Sequence, residues 1–238
     1  MRKTYKIALM IILFALALGI FIIYRIIFIP SGIDIDKIKY PITGIDVSNH
    51  SGKIDFQKAK DQNIDFVFMK SSEGEYLKDK RFDYNYNGAK MSGIPSGPYH
   101  FFRFNKPGRS QAINFLKSIK GKKFELPLVL DIEDWKNPTS KSKDEIIYEI
   151  GEFISSVKME TGANLMIYTN ENGYRKYISN SFSNNTIWIC SFKSKPRVKA
   201  KWTFWQHSHE GKFDFADGLV DVNTFNGNKT EWVKYLGR

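Results

Sequence analysis

Cysteine occurs once in this chain, at Cys190, and histidine only four times, at His50, His100, His207 and His209. A single thiol excludes an intramolecular disulfide and a cysteine-rich zinc site. The histidines form no H-E-x-x-H pair, and no G-x-S-x-G marks a serine nucleophile. No zinc-finger or RNA-recognition motif marks a reader of nucleic acid. Neither a metal nor another cofactor is expected, and Cys190, inside "TIWICSF", reads as a small buried apolar residue.

What the chain has is core material and positive charge. Of its 238 residues, 42% are hydrophobic and 15% aromatic, enough for one large domain or two small ones. The net charge is +11. Setting aside Arg2, Lys3, Lys6 and Arg25 leaves 32 of the 36 basic residues against 25 acidic ones, so the remainder favours a polyanionic partner. The basic residues are spread along the chain without an arginine-rich arm, so an anionic wall polymer or lipid surface fits better than nucleic acid.

At the N-terminus "MRKTYK" precedes "IALMIILFALALGIFIIY", residues 7–24, a run within the length that crosses a bilayer. Basic residues ahead of it predict a cytoplasmic N-terminus with the rest of the chain outside, and Arg25 can snorkel to the headgroups. "ALA" at 15–17 resembles a signal-peptidase site, yet the apolar run continues through Ile29. The expectation is an uncleaved single-pass anchor in the cell membrane over residues 1–29, a linker over 30–41 and an extracellular domain over 42–238. Cleavage would make the domain a secreted protein.

Eight strand-like runs follow: "ITGIDVSN" (42–49), "FVFMKSSEG" (66–74), "IPSGPYHFFR" (94–103), "LPLVLDIE" (126–133), "NLMIYTN" (164–170), "TIWICSF" (186–192), "WTFWQHS" (202–208) and "LVDVNTF" (219–225). The clearest helix between them is 142–160, where Ile146, Ile147, Ile150, Phe153, Ile154 and Val157 share a face. Ser142 with Glu145 makes a capping box, and Gly162 follows the end. Weaker helices are predicted at 55–63, 80–92, 109–120 and 172–180. Alternating strands and helices imply an α/β fold with a mostly parallel sheet. Eight strands suggest closure into an irregular β/α barrel, because the helices run out near the C-terminus.

Barrels of this kind carry their chemistry at the C-terminal strand ends. The polar residues assigned there are Asp46, Lys70 with Glu73, Tyr99 with His100, Asp131 with Glu133, Tyr168, Gln206 and Asp221. In "LPLVLDIEDW" an apolar strand ends in three acids, and the i, i+2 spacing turns Asp131 and Glu133 to one face, with Leu130, Ile132 and Asp134 on the other. Two close carboxylates cannot both ionise easily, so one pKa rises, which is what a general acid needs. Glu133, beside Trp135, is the better proton carrier, and Asp131 the electrostatic partner. Aromatic residues near acids suit a sugar, whose ring offers an apolar face and hydroxyls.

The motifs "GIDVSNHSGKIDF", "FVFMKSSEG", "NYNGAKMSGIPSGPYHFFR", "LPLVLDIE", "MIYTN", "WTFWQHS" and "VDVNTFNG" occur in that order. Together they resemble the glycoside hydrolase family 25 lysozymes, the Chalaropsis-type muramidases, over roughly Ile42 to Leu236. The resemblance implies an irregular flattened eight-stranded barrel and hydrolysis of the β-1,4 bond between N-acetylmuramic acid and N-acetylglucosamine in peptidoglycan. It implies catalytic roles for Asp46, Asp131, Glu133 as proton donor, and Asp221. Tyr99, Tyr168 and Trp205 match positions that line the family's groove, and Glu73, Trp135 and Gln206 are further candidates for substrate contact. One departure is "KSSEG", where the family usually has threonine before the glutamate. A monomer is expected. Retaining, inverting and substrate-assisted routes all remain open, with the last preferred. Two other readings are a glycan-binding module without turnover and a glycosidase acting on another N-acetylated polymer such as chitin.

Overall fold

The computed structural model describes residues 10–20, 33 and 35–237. The chain divides into two units, Met1–Ser31 and Gly32–Arg238. In the first, residues 10–20 form a helix, α1. The remainder of the expected anchor over 1–29 lies outside the described residues. Among the described residues, no helix is long and apolar enough to cross a membrane.

The second unit is built on a closed sheet. Strands β1 (Thr43–Val47), β2 (Phe66–Glu73), β4 (Ser96–Phe101), β5 (Val129–Asp131), β6 (Met166–Asn170), β7 (Thr186–Cys190) and β8 (Trp202–Gly211) pair in parallel in that order. β9 (Val220–Phe225) closes the barrel antiparallel to both β8 and β1. A two-residue strand, β3 (Leu77–Lys78), folds back on β2. Helices α2 (Phe56–Asp61), α3 (Phe82–Ser92), α4 (Gly108–Ile119) and α5 (Lys143–Thr161) fill the earlier crossovers. After β6 comes a short turn of helix, α6 (Glu171–Gly173), that runs into a π-helical turn at Tyr174–Ile178.

All eight expected strand runs lie on the barrel. The last one runs antiparallel, which corrects the placement of Asp221: this residue lies near the start of an antiparallel strand instead of at the end of a parallel one. Only residues 212–219 join β8 to β9. A parallel crossover ordinarily needs a dozen residues or more, whereas an antiparallel partner needs only a short connection. Part of the expected linker is also core: Ile35 and Tyr40 are buried, with Tyr40 packed against Trp202 and Trp205.

Side chains alternate between two layers, as strand geometry requires. Phe66, Phe68, Val129, Met166, Trp188 and Phe204 fill the barrel interior, and Trp232 of α7 (Lys229–Tyr235) packs against Phe66 at the pole where β2 begins. Val67, Met69, Leu130, Ile132, Ile167 and Ile189 face outward into the layer shared with the helices. The predicted face of α5 is the one that packs there through Ile146, Ile150, Phe153 and Val157. Its termini follow the sequence signals. Ser142 and Glu145 form the reciprocal capping box, and Gly162 adopts the left-handed φ of 69° that terminates the helix.

Candidate active site

The seven parallel strands end at one pole, where four carboxylates from three chain regions meet. Asp46 of β1 lies directly across from Asp221 of β9 in the antiparallel register. Asp46 Oδ2 accepts 2.8 Å hydrogen bonds from Gln206 Nε2 of β8 and from Asn223 Nδ2 of β9. Asn223 is fixed in turn by the Trp188 indole, which donates to its Oδ1 at 2.8 Å. Gln206 Oε1 accepts from the Tyr168 hydroxyl at 2.7 Å. That hydroxyl oxygen lies 3.5 Å from Glu133 Oε1. A continuous polar network therefore joins the loop after β5 to β6, β8, β1 and β9.

These groups titrate as a set. Burial, and then the charge of Asp46, push Glu133 up to about 7. Burial raises Asp131 well above the usual carboxylate range, and the Glu133 charge adds to it. Asp46 rises only to about 6, because burial is countered by hydrogen bonds from Asn223, Gln206 and Asp221. Asp221 is pushed to about 9 by burial, the Asp46 charge and its hydrogen bond to Asp46, so near neutrality Asp221 carries the proton and donates it to Asp46. The long contact in which the Tyr168 hydroxyl donates to Glu133 favours the ionised carboxylate and offsets part of the effect of burial.

The loop after β5 is held by its neighbours. Asn137, buried, donates to the carbonyls of Phe102 at 2.7 Å and Glu133 at 2.9 Å, and accepts from the Phe104 amide at 3.0 Å. Arg103 Nη1 donates to the Lys136 carbonyl at 2.5 Å, and Lys136 itself has a left-handed φ of 49°. Asp134 points away from the acids and pairs with Tyr177 and Lys176.

Of the predicted site residues, Asp46, Asp131, Glu133, Asp221, Tyr168 and Gln206 come together. Tyr99 joins the same interior, edge-on to Trp188, and feels the charges of Asp46, Asp131 and Asp221. Glu73 is held by Lys70 and Arg103, whose charges outweigh its burial and keep its carboxyl below the usual range. Trp135 is 65% exposed in the loop after β5, with Lys136 over its ring. Trp205 is the exception: it lies in the outer layer against Tyr40, Trp202 and His207, and its indole donates to the Ser191 carbonyl. On β8 the interior phase belongs to Phe204 and Gln206, which forces the residue between them outward. Sequence reasoning missed Asn223, which the i, i+2 spacing from Asp221 could have revealed. It also missed Arg103, which binds both Glu73 and the Lys136 carbonyl, and Asn137, which holds backbone; neither leaves a sequence signal.

Proton-holding carboxylates and aromatic rings at the mouth of a β/α barrel define a hydrolase of the glycosidase class. Residues 45–215 match the model of glycosyl hydrolases family 25, and the chain belongs to that family. Lysozyme M1 of Streptomyces globisporus is 33% identical over 203 residues, covering 79% of this chain and 68% of that protein. The protein YegX of Escherichia coli O157:H7, described as uncharacterized, is 32% identical over 204 residues, covering 83% and 74%. The solved structure of a family 25 glycosyl hydrolase from Bacillus anthracis superposes with a TM-score of 0.78 at 31% identity, covering 86% of this chain and 96% of that one.

Proposed function

We propose that this protein is a muramidase that hydrolyses the β-1,4 bond between N-acetylmuramic acid and N-acetylglucosamine in peptidoglycan, with Glu133 as general acid. The observation that carries this reading is Glu133 itself: a half-buried carboxyl beside Asp131, joined through Tyr168 and Gln206 to Asp46 and raised to about 7 at the mouth of a family 25 barrel, and so able to hold a proton near neutrality. The name of the Streptomyces globisporus relative, a lysozyme, supports the same substrate.

Glu133 gives its proton to the glycosidic oxygen as the bond from that oxygen to C1 breaks. Asp131 is the neighbour that assists. It is buried, and among the described residues nothing donates to its Oδ1. An acceptor left open in a low-dielectric site is costly until a donor arrives, and the N–H of the substrate's 2-acetamido group supplies one. Asp131 then orients that group so that its carbonyl oxygen attacks C1 and forms a cyclic intermediate. Water opens the intermediate, losing its proton to the Glu133 carboxylate, and the configuration at C1 is retained. Asp46, ionised above about 6, stabilises the positive charge that develops at the sugar ring. Tyr99, Tyr168, Gln206, Glu73 and the exposed Trp135 ring line the sugar-binding groove in this reading.

The apolar run over residues 7–24 and the basic residues ahead of it support a membrane anchor that leaves the domain outside the cell. Protease protection of the N-terminus in membrane fractions, with cleavage of the domain from outside, tests that arrangement. Glu133→Gln tests the chemistry. Release of reducing ends from purified peptidoglycan should fall at least about a hundredfold while the thermal transition is kept. Undiminished release would remove Glu133 from the reaction.

A further inference from the structure

Between Asn172 and His209 the sequence contains no aspartate or glutamate. Within that stretch, the connection from β7 to β8 carries Lys193, Lys195, Arg197, Lys199 and Lys201, a cation at every second position. All five side chains are exposed. The residues between them turn inward: Pro196 is buried, and Val198 and Ala200 pack against the core. The segment is also pinned through its backbone. The Ser191 amide donates to Gln206 O at 3.1 Å, and the Arg197 amide donates to Glu171 Oε1 at 2.8 Å.

Some cations of the domain have carboxylate partners, as Lys90 has Glu125 and Lys141 has Glu149. Among the described residues no acid lies within ion-pair distance of any of the five. Removing them leaves 27 of the domain's 32 basic residues against its 25 acidic ones, so most of its positive surplus sits on this one connection. Because β7 and β8 are parallel, the strip must run the height of the barrel, from the mouth beside Cys190 to the far pole at Trp202.

We infer that this strip is a docking track for a linear polyanion made of phosphodiester-linked units, of the kind woven through cell walls. The choice of a wall polymer rests on the muramidase reading. Its shape argues for a chain: five cations in a row, held outward by an ordered backbone, meet successive phosphates at small entropic cost. A membrane surface fits less well, because interfacial binding adds large apolar side chains to the charge, and none is exposed between Ser191 and Trp202. Single-stranded nucleic acid fits less well too, since such sites present aromatic platforms for stacking. The one aromatic at the start of the strip, Phe192, is half-buried against His209. Holding the polymer while the mouth faces glycan would raise the local concentration of substrate.

The test is binding of the full-length protein in detergent to polyglycerol phosphate, across a salt series. Wild type should bind with an affinity that falls steeply with salt, and replacing all five residues by glutamine should weaken binding roughly tenfold or more and flatten that slope. On walls stripped of phosphodiester polymer the five-fold variant should hydrolyse as fast as wild type, and on polymer-bearing walls it should be several-fold slower. Unchanged polymer affinity in the variant, equal loss on both walls, or tighter binding of wild type to phosphatidylglycerol vesicles or oligodeoxythymidine would each overturn the inference. Glu133→Gln should keep full polymer binding, so failure of the catalytic reading is seen separately.

Discussion

Asp46 and Asp221 face each other across the β1–β9 ladder and share one proton, although they come from the first and last strands of the barrel. Closure of the sheet forces the pair together. Gln206 and Asn223 donate only to Asp46, which breaks the symmetry and leaves Asp46 as the member that ionises.

This pair sets the expected pH profile. Activity should rise as Asp46 ionises near 6 and fall as Glu133 loses its proton near 7, giving a narrow optimum in initial rate between pH 4 and 9. Because the Asp46 charge helps hold the proton on Glu133, Asp46→Asn should move the alkaline limb to lower pH. A limb that stays in place would separate the two groups.

The same shifts predict a stability trend. Asp221 titrates at about 9 in the fold against 3.8 ordinarily. Between those values the native state binds more protons than the unfolded one, so stability falls as pH rises across that window. Asp221→Asn keeps a donor to Asp46 and removes the titration. Its melting temperature should therefore decline less than wild type's from pH 5 to pH 9, and parallel declines would contradict the assignment.

Asn137 should act on turnover without touching substrate. Asn137→Ala leaves the Glu133 and Phe102 carbonyls and the Phe104 amide without this partner, a cost of about 1–3 kcal/mol. With the Glu133 loop loosened, kcat should fall while KM changes little. A variant with wild-type kcat would show that the clamp is dispensable.

Gly108 marks a close approach of α4 to α5. A Cβ there would lie 1.8 Å from the Glu149 carbonyl oxygen of α5, so Gly108→Ala must push α4 from α5. Chemical denaturation should show a loss of about 1–3 kcal/mol or more. A neutral result would mean that the helices separate freely.

The barrel was legible because its strands, covered on both faces, read as apolar runs with polar ends. The same double burial hid the phase of the strands. "WTFWQ" offers aromatics to both layers, so Trp205 read as groove-lining, although the bond from Gln206 to Asp46 turns it outward. The D-x-E alternation did carry over: Asp131 and Glu133 face the acids, while Ile132 is in the outer layer and Asp134 binds Tyr177. Glu73 was readable as an acid at a strand end. Its two cationic partners, Lys70 and the distant Arg103, follow only from the pairing of β2 with β4.

The reversal of β9 governs how the domain can be tethered. A barrel of eight parallel strands would finish its last strand beside its catalytic opening. Here Thr43 pairs with Thr224, and α7 packs on the residues that begin β2 and β8, so the domain's first and last elements both lie at the rear. A leash, surface or fused module joined at either end would therefore leave the front unobstructed toward an insoluble meshwork.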